Sequence, residues 1–70
     1  MDKDFRIKSF SKLDALVKGK GMTLYALAKE LGLARSLFSD WKSGKSMPKT
    51  DKLLKISERL GVNVDYFYEK

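Results

Sequence analysis

The 70-residue chain contains no cysteine and no histidine. The first absence excludes disulfide staples, and the two together exclude zinc fingers and the usual thiol or imidazole catalysts. A cysteine-free chain also accords with a reducing, cytoplasmic setting. There is a single proline, Pro48, no Asn-Gly or Asp-Gly pair, and few β-branched residues. Hairpins and strands therefore find little support. No apolar run approaches the roughly 18 to 20 residues of a membrane span. The opening stretch MDKDFRIKSF alternates charged and apolar residues and lacks the apolar core of a secretion signal. There is no phosphate-binding glycine loop and no defensible pair of carboxylates, since Asp14, Asp40 and Glu58 do not group. An enzymatic reading is disfavoured on these grounds, and no cofactor is implied.

What is present is positive charge and helical periodicity. Fifteen Lys and Arg stand against nine Asp and Glu, for a formal net charge of +6. That excess points to a polyanionic partner and says nothing of the fold. A chain this short buries only about 60% of its unfolded surface, so a single thin core is expected.

Five short helices are predicted, making the chain all-α. The first spans about residues 9–19, with Ser9 as its cap and Phe10, Leu13, Leu16 and Val17 on one face. Residues 1–8 are set apart as an N-terminal arm of uncertain order, and residues 9–70 as one domain. The second helix spans about 24–31, capped by Thr23, with Leu24, Leu27, Ala28 and Leu31 as its stripe and Gly32 as its stop. The third covers about 34–42 and ends at Gly44. Its Leu37, Phe38 and Trp41 point inward, and that spacing reads as core rather than as a surface for stacking bases. A loop stiffened by Pro48 leads to the fourth helix, about 50–60, with Thr50 as cap and Leu53, Leu54, Ile56 and Leu60 as core. The fifth is a turn or two over residues 63–68, capped by Asn63.

Helices two and three are joined by LGLAR, and this joint has physical requirements that the residues meet. A small residue is needed where the helices cross, and Ala28 stands there. A residue at ease in the left-handed region is needed four positions later, and Gly32 stands there. Leu33 plugs the angle, and Phe38 and Trp41 hold the inner face of helix three. Arg35, Ser36, Ser39, Asp40 and Lys42 are then left on the outer face.

With these residues in place, residues 21–67 resemble the phage repressor and Cro-like helix-turn-helix family, also called the XRE family. Ala28, Gly32, Leu33, Phe38, Gly44, Pro48, Leu53, Ile56, Leu60 and Gly61 fall on its pattern. The resemblance implies a compact, lambda-repressor-like domain of five helices with its helix-turn-helix in helices two and three. It implies that helix three enters the major groove of double-stranded DNA, with Ala34, Arg35, Ser36, Ser39 and Asp40 near base edges. Arg35 is the foremost candidate, for a bidentate contact with guanine. Thr23, Tyr25, Lys42, Ser43, Lys45 and Lys49 are the implied phosphate contacts. Lys52 and Lys55 look away and read as a solubilising face.

Two positions depart from the family. The Gln that many members carry at the start of helix two is Leu24 here, so that either its contact is absent or Tyr25 or Thr23 replaces it. An Arg–Glu pair between helices one and three is replaced by Val17 and Lys42, which frees Lys42 for DNA. Tyr66, Phe67 and Tyr68 form a second anomaly, because three adjacent aromatics cannot all face one small core. Phe67 or Val64 is expected to close the core, and Tyr66, Phe67 and Tyr68 as a group are assigned to a dimer or partner interface, as the family implies, with two copies on a two-fold operator.

The expected function is a sequence-specific transcriptional regulator, a Cro-like repressor of a phage or mobile-element lysogeny switch that occludes a promoter. The alternative is a small modulator or antirepressor that binds a repressor protein. Antitoxins share the fold, and that role also stays open. If 70 residues are the whole protein, the Cro-like form is favoured over a two-domain repressor.

Overall fold

Asp2 accepts a hydrogen bond from the Phe5 amide at 2.8 Å, and this cap starts the first helix. In the computed structural model, which describes residues 2–69, α1 runs from Lys3 to Gly19. It is followed by α2 (Leu24–Leu31), α3 (Arg35–Ser43), α4 (Thr50–Leu60) and a terminal 3₁₀ helix (Val64–Tyr68). All regular structure among the described residues is helical.

Three elements depart from the expectation, each for a local reason. The first helix begins at Lys3 instead of Ser9, so residues 3–8 are helical and not an arm. Asp2 as cap and Asp4 in the first turn both suit the positive end of the helix dipole. Ser9 is thereby displaced from the cap into the buried middle of α1. At α4 the cap position is Lys49, without a side-chain bond, and Thr50 is the first helical residue. The last element winds as 3₁₀, with Asn63 accepting from the Asp65 amide as expected of a cap.

Trp41 lies at the centre of the core. It is fully buried and meets Phe10 and Phe67 edge-on, each with ring centroids 5.8 Å apart. Such edge-to-face pairs add about 0.5–1.5 kcal/mol beyond their burial. Its indole Nε1 donates to Ser9 Oγ at 2.7 Å, and Ser9 Oγ donates in turn to the Arg6 carbonyl at 2.8 Å. The indole N–H, a polar group at the centre of the core, is therefore satisfied by a residue of α1. Leu13 and Val17 from α1, Leu27 and Ala28 from α2, and Leu53, Ile56 and Leu60 from α4 close around it. In α1 and α4 these apolar residues recur three and four apart, which is the helical repeat that puts them on one face. Leu54, expected in the core, is 47% exposed, because it lies one step round α4 from Leu53.

Candidate nucleic-acid interface

The joint between α2 and α3 is built by backbone geometry first. Gly32 adopts φ +68°, in the left-handed region that a side chain disfavours. The chain then closes back on α2 through Leu33 N–H to the Ala28 carbonyl at 2.9 Å. Ala28, Leu33 and Phe38 are all buried beneath the crossing. The expected helix bounds hold within a residue here: α2 is as predicted, and Ala34 caps α3 without a side-chain bond.

This joint turns one face of α3 outward. Arg35, Ser36, Ser39, Lys42 and Ser43 are exposed, and Asp40 is partly buried. Ala34 is exposed at the tip. Neither α2 nor α3 carries an acidic residue in its first turn, so the positive ends of both helix dipoles are unopposed. The ion pairs among the described residues are Lys18–Asp14 and Arg59–Glu30, and neither draws on the cations of this face. No ion pair joins Asp40 to Arg35 or Lys42.

Arg35 has a neutral neighbour instead. Its guanidinium carbon sits 5.0 Å from the centroid of the Tyr25 ring, over the face of α2. The two residues form one wall of an open cleft of about 250 Å³, whose lining includes Leu24, Phe38, Ser39 and Lys42. Leu24, at the position where Gln is usual in the resembling family, is half-buried against the core. Val17 is buried and Lys42 exposed, which fits the loss of an ion pair between them.

Thr23 Oγ1 accepts from the Ala26 amide at 3.0 Å as the cap of α2. Its hydroxyl proton is still available to an external acceptor. Ser43 Oγ donates to the Asp40 carbonyl at 3.0 Å, so its proton is already engaged. Lys45 and Lys49 are exposed on the loop that follows α3.

That loop is pinned by the part of α1 that sequence reasoning left as an arm. Arg6 Nε donates to the Gly44 carbonyl at 2.7 Å. Gly44 is buried at φ +80°, and a Cβ there would lie 2.5 Å from Lys3 Cγ. Pro48 is buried, and Met47 Sδ lies 3.9 Å from Ser9 Oγ. The loop that carries Lys45 is thus held at a defined distance from α3. Asp2 in front of Asp4 was the signal in the sequence that marks this earlier helix start.

The aromatic run at the end of the chain is divided among partners within the chain. Phe67 is fully buried against Trp41, which removes it from the expected dimer or partner interface. Tyr66 packs edge-on against Phe67 at 5.6 Å, with Lys12 Nζ 5.3 Å from its ring. Lys12 also donates to the carbonyls of Tyr66 and Glu69. Tyr68 stacks on Phe5 at 6.2 Å. Tyr66 and Tyr68 are each partly exposed.

A family model described as helix-turn-helix matches residues 13–67. Over 54 residues the chain is 39% identical to the HTH-type transcriptional activator BcrR of Enterococcus faecalis, a match covering 77% of this chain and 26% of that protein. The chain thus spans about a quarter of the length of that relative. No solved structure matches.

Proposed function

The chain belongs to the helix-turn-helix family, and from that premise we propose that it is a sequence-specific, DNA-binding transcriptional regulator whose α2 and α3 form the helix-turn-helix. The observation that carries this reading is the outward face of α3, with Arg35 at its tip, presented on a joint whose inner face is buried. In this reading α3 lies in the major groove. Arg35 makes a bidentate contact with guanine O6 and N7, and Ala34, Ser36, Ser39 and Asp40 meet the neighbouring base edges. Thr23, Lys42, Lys45 and Lys49 take phosphates and set the register, while Ser43, its proton given to the Asp40 carbonyl, leaves that set.

Promoter occlusion in the manner of a Cro-like switch protein is the proposed mode, because it requires only tight binding at a chosen site. The Enterococcus faecalis relative is named an activator. The two modes share the same reading surface and differ in where the operator lies relative to the promoter. Two copies on a two-fold operator would place their reading helices ~34 Å apart, one DNA turn. Tyr66 and Tyr68, both partly exposed, are the surface proposed for that pairing. The protein-docking alternative keeps Leu24 in place of Gln as support and loses Phe67, which is buried against Trp41.

The test separates the two kinds of contact. On a selected duplex, Arg35→Ala should relax the preference at one base pair by about 1–3 kcal/mol. Lys45→Ala should weaken binding to all sequences alike and flatten the plot of log affinity against log salt by about 0.9. An unchanged base preference in Arg35→Ala would refute direct readout.

A further inference from the structure

We propose that Tyr25 is the positioning residue for Arg35, and that the two act as one guanine-reading unit. This rests on the reading of α3 as the element in the groove. Four observations meet at this pair. The Arg35 guanidinium carbon is held 5.0 Å from the Tyr25 ring centroid. No carboxylate pairs with Arg35 among the described residues, so the ring is the contact that orders it. Tyr25 is 57% exposed, which means that the core does not account for the ring. Both residues line the same cleft at the mouth of the α2–α3 joint.

The physical effect is preorganisation. An arginine free to sample its rotamers loses that freedom when it forks onto a base. An arginine already seated on an aromatic face has lost part of it before DNA arrives. The attraction between cation and ring also strengthens as docking removes water from around it. The ring, and not the hydroxyl, is the working part of Tyr25. The contact assigned to it from the sequence, a phosphate held by the hydroxyl, is a different role with a different signature.

Four proteins decide the matter: wild type, Arg35→Ala, Tyr25→Ala and Tyr25→Phe. Each is titrated against the selected duplex and against the same duplex with the guanine read by Arg35 changed to adenine. Circular dichroism confirms folding, which a change at this exposed helical position leaves intact. Tyr25→Ala should lower the guanine-over-adenine ratio by about two- to fivefold, as an exposed cation–aromatic contact warrants. Tyr25→Phe should keep the wild-type ratio. If both Tyr25 variants lose affinity equally for guanine and adenine duplexes, the hydroxyl is a phosphate contact and the inference is overturned. If Arg35→Ala loses the ratio and Tyr25→Ala keeps it, the inference falls while the reading of α3 stands. A wild-type protein with no guanine preference overturns both.

Discussion

Gly44→Ala tests whether the amino-terminal turns of α1 hold the loop that follows α3. Gly32 supplies the control. Both glycines adopt the left-handed conformation, at φ +80° and +68°, so both alanine variants meet the same backbone penalty of about 1–2 kcal/mol. They differ in surroundings. A Cβ on Gly32 meets nothing within 4 Å. A Cβ on Gly44 meets Lys3 Cγ at 2.5 Å, Ile7 Cγ1 at 3.1 Å and the Lys3 carbonyl at 3.2 Å. The nearest atom is close to the root of its side chain, so relief requires a new χ1 rotamer of Lys3 or a shift of α1. Overpacking of this kind costs about 1–3 kcal/mol more. The total for Gly44→Ala is then about 2–5 kcal/mol, against a stability of roughly 0.05–0.15 kcal/mol per residue for a natural domain. Urea denaturation followed by tryptophan fluorescence measures both variants through Trp41. Gly44→Ala should lose at least about 1 kcal/mol more than Gly32→Ala. Adding Lys3→Ala should recover part of the difference, since it removes the Cγ. Equal losses in the two glycine variants would refute the packing of α1 on the loop, and with it the account of how Lys45 is placed.

Three further substitutions probe the core and its edge. Ser9→Ala leaves the Trp41 Nε1 donor without an acceptor in a fully buried site, and should cost about 1–3 kcal/mol of stability by urea denaturation, with a shift in tryptophan emission. A loss below about 0.5 kcal/mol would mean that another acceptor serves the indole. Leu53→Ala and Leu54→Ala should differ sharply although the residues are adjacent, by about 2–5 kcal/mol for the buried Leu53 and within about 0.5 kcal/mol for the exposed Leu54. Similar losses would show that α4 is rotated from the face described.

What was legible in the sequence was local. The apolar spacing of α2, α3 and α4 and the glycines after them declare those elements, because periodicity and left-handed stops act within a turn or two. The exposed residues of α3 follow from the same periodicity once Phe38 and Trp41 are placed inside. The start of α1 was not legible from apolar spacing. Residues 5–8 read as alternation, and what holds them in place lies far along the chain: Gly44 for Arg6 and Tyr68 for Phe5. The aromatic run was legible in part: that the three could not share one face, and that Phe67 could close the core, followed from its crowding, but the partners of Tyr66 and Tyr68 did not. Three neighbours on a 3₁₀ helix point in different directions, and each found its partner on α1 or α3. The Tyr25–Arg35 contact depends on the crossing angle of two helices. No spacing rule within either helix determines which residue of α2 faces the tip of α3.

The central claim is that the face of α3 reads a DNA sequence. The most direct measurement is selection of the purified protein's preferred sites from a pool of random duplexes, at two salt concentrations, with sequencing of what is retained. The account predicts enrichment of a two-fold related site with a guanine in each half, and retention that falls as salt rises. Salt-sensitive retention with no enriched sequence would contradict it, and would leave only a basic surface.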